Sequence, residues 1–283
     1  MPDFSRILLL ADFDRTLTGP DSRVPARNAA AIERFMACGG AFTVATGRSA
    51  PMFRARTPEI PYNTPLILYN GGATYDYRTE TLADAVWIPE GRALLEYLAR
   101  EFPDLHLEVQ GKDYHYLIGD EPMRDAFYRR ADTATAHVTV ETMPYPILKA
   151  SLLGTFFDDS VPQFFTRVPP EENARFDFAA AKIAADWPEL VVDRAAPRII
   201  DVQAPGVSKG AMARRVAKKL GRELICVGDA RNDLSMLLEA DRAFAPADCE
   251  TAVREAGIPL VCPCGEGAVA DVIDLLERES RSS

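Results

Sequence analysis

The chain has 283 residues, 47% of them hydrophobic and 26% charged, with a formal net charge of −10. This length suits about two domains with an ordinary packed core, and no stretch approaches the ~20 uninterrupted apolar residues of a membrane span. A diffusely acidic surface disfavours nucleic acid and anionic lipid as partners, so any anionic ligand must be held by local positive charge.

The opening residues 1–6 are too short and polar for a secretory signal, so the cytoplasm is the expected location. Five scattered cysteines, Cys38, Cys226, Cys249, Cys262 and Cys264, read as reduced thiols. Cys262 and Cys264 are the one close pair, and they read as ordinary loop or core thiols rather than a metal or redox site.

In chain order, the apolar run 7–11 predicts a strand buried on both faces. Pro25 opens a helical pattern with Ile32, Phe35 and Met36 on its apolar stripe, and Gly39-Gly40 closes it. Residues 41–45 and 66–69 predict two further strands, the second ended by the turn Asn70-Gly71-Gly72. From about 83 to 197 the pattern changes. Alternating segments at 105–109, 114–118 and 147–154 are interleaved with helical patterns at 91–102, 122–133 and 176–187. After that, Ser208 caps a helix over 209–220 that Gly221 ends. A strand at 224–227, a helix at 233–239, short strands at 243–245 and 260–261, and a helix at 268–279 follow, with a frayed tail. Strand and helix alternate at both ends, which predicts an α/β, Rossmann-like parallel sheet with helices on both faces. The expected organisation is a core of 1–82 and 198–283, interrupted by an inserted α+β cap over 83–197.

Four short motifs fall at strand ends, where open α/β sheets bind their ligands. Asp12-Phe13-Asp14-Arg15-Thr16 puts two carboxylates two residues apart, suited to binding a hard cation and to nucleophilic and acid–base work. Alone it would read as an Asx turn. Gly228-Asp229-Ala230-Arg231-Asn232-Asp233 follows another buried strand and alone would be a loop with a helix cap. Together they gather Asp12, Asp14, Asp229 and Asp233 at the ends of one sheet. Such a cluster is costly without a counterion, and all-oxygen ligands favour magnesium over zinc. Thr46-Gly47-Arg48 offers a hydroxyl and backbone N–H groups suited to a phosphate, or is a plain turn. Lys209 sits in the first turn of its helix, against the dipole, where a phosphate or the Asp12 carboxylate would reward it; alone it would be a solvated lysine.

The order of these motifs resembles the haloacid dehalogenase superfamily of phosphohydrolases. Asp12, Asp14 and Thr16 match its first motif, Thr46 the second, Lys209 the third, and Gly228-Asp229 with Asn232-Asp233 the fourth. The long insertion resembles the large cap of the Cof-type branch, as do Asn70-Gly71-Gly72, Asp201 and Gly206-Val207-Ser208-Lys209-Gly210. The resemblance implies a phosphatase acting on a small phosphorylated metabolite, with magnesium as cofactor. Asp12 would be the nucleophile and Asp14 the acid and base. Asp12, Asp14, Asp229 and Asp233 would serve the metal, and Thr46, Gly47, Lys209 and Asn232 the phosphate. A phosphosugar mutase using the same nucleophile and a non-catalytic phosphometabolite-binding protein are the other readings, and a monomer or homodimer is expected. Position 15 is usually glycine in this branch. Arg15, so near Asp12, either touches substrate or turns into a salt bridge. His106, His115 and His137 read as structural or surface histidines, and no pattern picks out the substrate-selecting residues.

Overall fold

The structure, a computed structural model, describes residues 2–154 and 169–282. In chain order the first elements are β1 (Ile7–Asp12), α1 (Ala26–Ala37), β2 (Ala41–Ala45), α2 (Ala50–Phe53), β3 (Leu66–Leu68), β4 (Ala73–Asp76) and β5 (Thr81–Ala83). Next come α3 (Gly91–Glu101), β6 (His106–Gln110), β7 (His115–Ile118), α4 (Pro122–Arg130), β8 (Thr135–Val138), β9 (Lys149–Leu153), α5 (Pro170–Asp186), β10 (Val191–Ala196) and β11 (Ile199–Gln203). The chain closes with α6 (Lys209–Leu220), β12 (Glu223–Val227), α7 (Leu234–Glu239), β13 (Arg242–Pro246), α8 (Thr251–Glu255), β14 (Leu260–Val261) and α9 (Ala268–Ser282).

Two compact units result. One comprises residues 1–47, 56–83 and 208–283; the other comprises 48–55 and 84–207. The first holds the sheet β14-β13-β12-β1-β2-β3-β4-β5. Its strands from β14 to β3 pair in parallel, and β4 and β5 add an antiparallel edge. Every residue of β2, and all of β1 after Ile7, is buried, so both faces of the sheet centre are covered. The covering helices pack in pairs, α1 with α9 and α6 with α7. The α/β, Rossmann-like core expected from the sequence is present. β1 lies between β2 and β12, and their connections leave it in opposite directions, which makes its carboxyl end the switch point of the sheet.

The second unit holds the sheet β10-β11-β9-β6-β7-β8. One face carries Leu107, Val109, Ala150, Leu152, Ile200 and Val202, which pack with Leu94, Leu95 and Leu98 of α3 and Phe176, Ala179 and Ile183 of α5. The opposite face is also buried but polar. Across it Glu108, Ser151 and Asp201 stand in one row, and His115, Gln110, Lys149 and Gln203 in the next. Lys149 Nζ lies 2.7 Å from Asp201 Oδ2, and Ser151 Oγ donates to Asp201 Oδ1 at 2.6 Å. Tyr128 of α4 donates to Glu108, and Ser49 Oγ lies 2.5 Å from the His115 Nε2. Burial raises the Glu108 carboxyl to about 7 against its bond from Tyr128, and lowers His115 to about 3.

Four expectations shift. The return to the first unit comes at 208, not 198, because β10 and β11 form a hairpin whose second strand pairs with β9. Residues 48–55, expected in the core, cluster with the second unit. The helix expected over 176–187 begins at Pro170: Pro169 is extended, Pro170 stands at the first helical position and Glu171 and Glu172 suit the dipole. The expected frayed tail is helical through Ser282, with Arg242 clamping Glu279 through two contacts of 2.9 Å. β4, β5, β8, β10 and β11, with the short helices α2 and α8, had no counterpart in the sequence reading.

Candidate active site

The site lies within the first unit, at the carboxyl ends of β12, β1 and β2. Asp12 ends β1 and is 6% exposed. The chain then turns through Phe13–Leu17, with Thr18 N–H donating to the Phe13 carbonyl at 2.9 Å and Asp14 half-buried within the turn. Asp229 follows β12, whose residues pair with β1 from Ile7↔Glu223 to Ala11↔Val227. That register brings Asp12 and Asp229 together from positions more than 200 residues apart.

Lys209 arrives on the first turn of α6, which Ser208 caps by accepting the Ala211 N–H at 3.0 Å. Gly71 lets that helix start come close. It has φ +97°, and a Cβ there would sit 2.1 Å from the Ser208 carbonyl oxygen. Lys209 Nζ contacts Asp12 Oδ1 at 2.5 Å and Asp233 Oδ1 at 2.7 Å. Asp233, fully buried, accepts the Asp229 and Ala230 N–H groups on its other oxygen, each at 3.0 Å. It thus fixes the loop that presents Asp229. Thr16 Oγ1 donates to Asp229 Oδ1 at 2.9 Å, which gives the threonine of the first motif a definite task.

Thr46, 2% exposed, stands just beyond β2; its N–H donates to the Ile67 carbonyl and its carbonyl accepts the Asn70 N–H. A Cβ on Gly47 would meet Asn70 Oδ1 at 2.7 Å, so the backbone here passes close to that amide. Asn232 is exposed on the turn Arg231–Asp233. Arg15 settles into the salt-bridge alternative: its Nε is 3.8 Å from Asp229 Oδ2 and its Nη2 is 4.0 Å from Asp248 Oδ2. Asp248 had no signal in the sequence, being one aspartate in a loop without a motif. Cys264 donates to it through both N–H and Sγ, the structural use expected of that thiol.

The electrostatics are those of crowded negative charge. Burial first, and the neighbouring Asp233 second, push the Asp12 carboxyl well above its usual range, with Lys209 opposing them. Asp229 is pushed up to about 7 by burial and Asp233, against the Thr16 bond and Lys209. Burial alone would lower the Lys209 ammonium, but Asp12 and Asp233 hold it above its ordinary value. Carboxylate oxygens of Asp12, Asp229 and Asp233 lie within 4.8 Å of one another. Against these three carboxylates stand the buried Lys209 ammonium and, at 3.8 Å from Asp229, the exposed Arg15 guanidinium, so negative charge is still in excess, and the donors are all hard oxygens. This set fits a divalent cation of the magnesium class.

Residues 9–273 match the model of the haloacid dehalogenase-like hydrolases. The chain belongs to that family. No curated protein matches it. Among solved structures, a haloacid dehalogenase-like hydrolase from Bacteroides thetaiotaomicron superposes with a TM-score of 0.78 at 18% identity, covering 95% of this chain and 98% of its own. A family member from B. subtilis gives 0.75 at 20% identity over 94% and 98%. A structure described as a subclass IIB sugar phosphatase gives 0.73 at 19% identity over 95% and 98%. These likenesses establish the shared fold, insertion included. Among the described residues no helix is long and apolar enough to cross a membrane.

Proposed function

We propose that this haloacid dehalogenase-like hydrolase is a magnesium-dependent phosphatase of small phosphorylated metabolites, with sugar phosphates the leading class. The observation that carries the reading is the pairing of Asp12 with Lys209 at 2.5 Å, beside the Asp229 and Asp233 carboxylates. Lys209 favours the ionised, nucleophilic form of Asp12, opposing the burial and the Asp233 charge that push its carboxyl up. The name of the sugar phosphatase of like fold supports the substrate class.

In this reading an Asp12 oxygen attacks phosphorus while the ester P–O bond breaks, giving an aspartyl-phosphate and an alcohol that takes its proton from Asp14. Water then attacks the aspartyl-phosphate, Asp14 removes its proton, the P–O bond to Asp12 breaks, and inorganic phosphate leaves. Thr46, the Gly47 N–H, Lys209 and Asn232 hold the phosphoryl oxygens. The Asp12 carboxylate, the Asp14 backbone carbonyl and Asp229 would hold magnesium, with Asp233 bracing Asp229 and offering a further oxygen. When bound, the cation would neutralise charge on the phosphoryl group and on Asp12. The second unit, residues 48–55 and 84–207, is the proposed substrate selector, because no residue assigned to the chemistry falls there.

The test is phosphate release from a panel of phosphorylated sugars, nucleotides and cofactors, with and without chelator. Magnesium-restored release by wild type and its loss in Asp12→Asn are expected. Turnover by that variant within tenfold of wild type would remove Asp12 from its role, and full activity in chelator would remove the metal. Isomerisation of a sugar phosphate dependent on a bisphosphorylated activator, with little phosphate release, would mark a mutase instead.

A further inference from the structure

Arg15 has no part in that chemistry, yet the structure singles it out. Its backbone is left-handed, with φ 62°, a conformation that costs any residue carrying a Cβ. Its guanidinium stands between two carboxylates, 3.8 Å from Asp229 and 4.0 Å from Asp248. Asp248 is a fixed post, since the Cys264 N–H and Sγ both donate to it at 2.9 and 3.2 Å. The other oxygen of Asp229 already accepts from Thr16. A cation arriving at Asp229 therefore meets a carboxylate with one oxygen bonded and the other facing a positive charge.

We propose that Arg15 is a resident competitor for the divalent cation at Asp229, partly neutralising the acidic cluster in the metal-free protein and raising the cation concentration needed to load the site. The inference rests on the metal-dependent reading above. Lys209 cannot serve this purpose, because it is buried and committed to Asp12 and Asp233. Arg15 is 56% exposed in its side chain, so it can swing aside into water without stranding a buried charge. An ion pair this exposed is weak, so it shifts loading without preventing it. The expected effect is about three- to fivefold in Kd. A dication and a guanidinium sharing one carboxylate also repel each other, and salt screens that repulsion where it reaches solvent.

Calorimetric titration of magnesium chloride into chelator-treated protein reads the affinity directly, without turnover. Arg15→Gln removes the charge and keeps much of the side chain. Arg15→Asn removes the charge with a residue that tolerates left-handed backbone. Arg15→Lys keeps the charge. Both neutral variants should bind magnesium about three- to fivefold more tightly than wild type. The lysine variant should stay within about twofold of wild type, and the gap should narrow at high salt. Equal or weaker binding by both neutral variants overturns the competitor role while leaving the metal site standing. Absence of saturable magnesium binding in wild type overturns the metal reading and this inference with it.

Discussion

In the metal-free protein the buried Asp229 carboxylate carries an electrostatic cost that Asp229→Asn should release. Asp229 is 4% exposed, and its carboxyl is pushed up to about 7 by burial and by Asp233. In the unfolded chain the same group titrates near about 4. Between those values the folded protein holds a proton that the unfolded chain has lost. Stability therefore falls as pH rises through that window, and the loss is complete above about 7. Three units at about 1.4 kcal/mol each set an upper bound of about 4 kcal/mol. The amide keeps an acceptor for the Thr16 hydroxyl and loses the weak pair with Arg15, so a net gain of about 2–3 kcal/mol at pH 8 is expected. Urea unfolding of chelator-treated wild type and variant from pH 5 to pH 8 measures it. The variant should be the more stable at pH 8, should show a flatter fall with pH, and should gain nothing from magnesium. A variant less stable than wild type at pH 8, or one with an unchanged pH slope, would refute the account of Asp229 as strained by its own charge.

Lys209→Met should have the opposite sign, destabilising the chelator-treated protein at pH 7 by about 3–5 kcal/mol, because Asp12 and Asp233 lose their buried counter-charge. The cost should shrink at pH 5, where a raised carboxyl takes up a proton; a loss under about 1 kcal/mol in urea unfolding would contradict the pairing. Asp14→Asn should slow hydrolysis of alkyl phosphates by about 10²–10⁴, and aryl phosphates far less, since their leaving group needs no proton; equal losses for both would count against the acid role. Tyr128→Phe should cost about 1–3 kcal/mol at pH 8, where Glu108 is ionised, and less at pH 5, where it is protonated. An equal cost at both pH values would mean that the tyrosine acts by packing alone.

Much of the first unit was legible because its chemistry is local in sequence. β1, β2 and β12 are short apolar runs, and Asp12, Thr46 and Asp229 stand at or just after their ends. The partner of Lys209 was half legible. Its place against the helix dipole demanded a negative charge, but only the fold shows that Asp12 and Asp233 share it. The second unit was harder. β10 reads Val-Val-Asp-Arg-Ala-Ala, half polar and with an irregular register between Asp193 and Ala196, so its alternation is blurred. β11 was missed because it stands on a buried polar face, where Asp201 and Gln203 look like surface residues. Arg15 illustrates another limit. Sequence raised two alternatives, and the choice between them lay with Asp229 and Asp248, remote in the chain.

The two faces of the second sheet carry a consequence for how that unit finds its pairing. Both faces are buried, one apolar and one charged. A one-residue slip of β9 or β11 would carry Lys149 or Asp201 into the cluster around Leu94 and Phe176, and an apolar side chain into the polar row. Each such error places an ion in an apolar setting, so wrong pairings are rejected in proportion to the charge displaced. The central strands β1, β2 and β12 lack this proofreading. They are apolar on both sides along nearly their whole length, and a slip there would trade one aliphatic neighbour for another. Their register is checked at their tips, where Asp12 must meet Lys209 and Thr16 must meet Asp229. In that sheet the cluster assigned to catalysis also serves as the alignment mark of the fold.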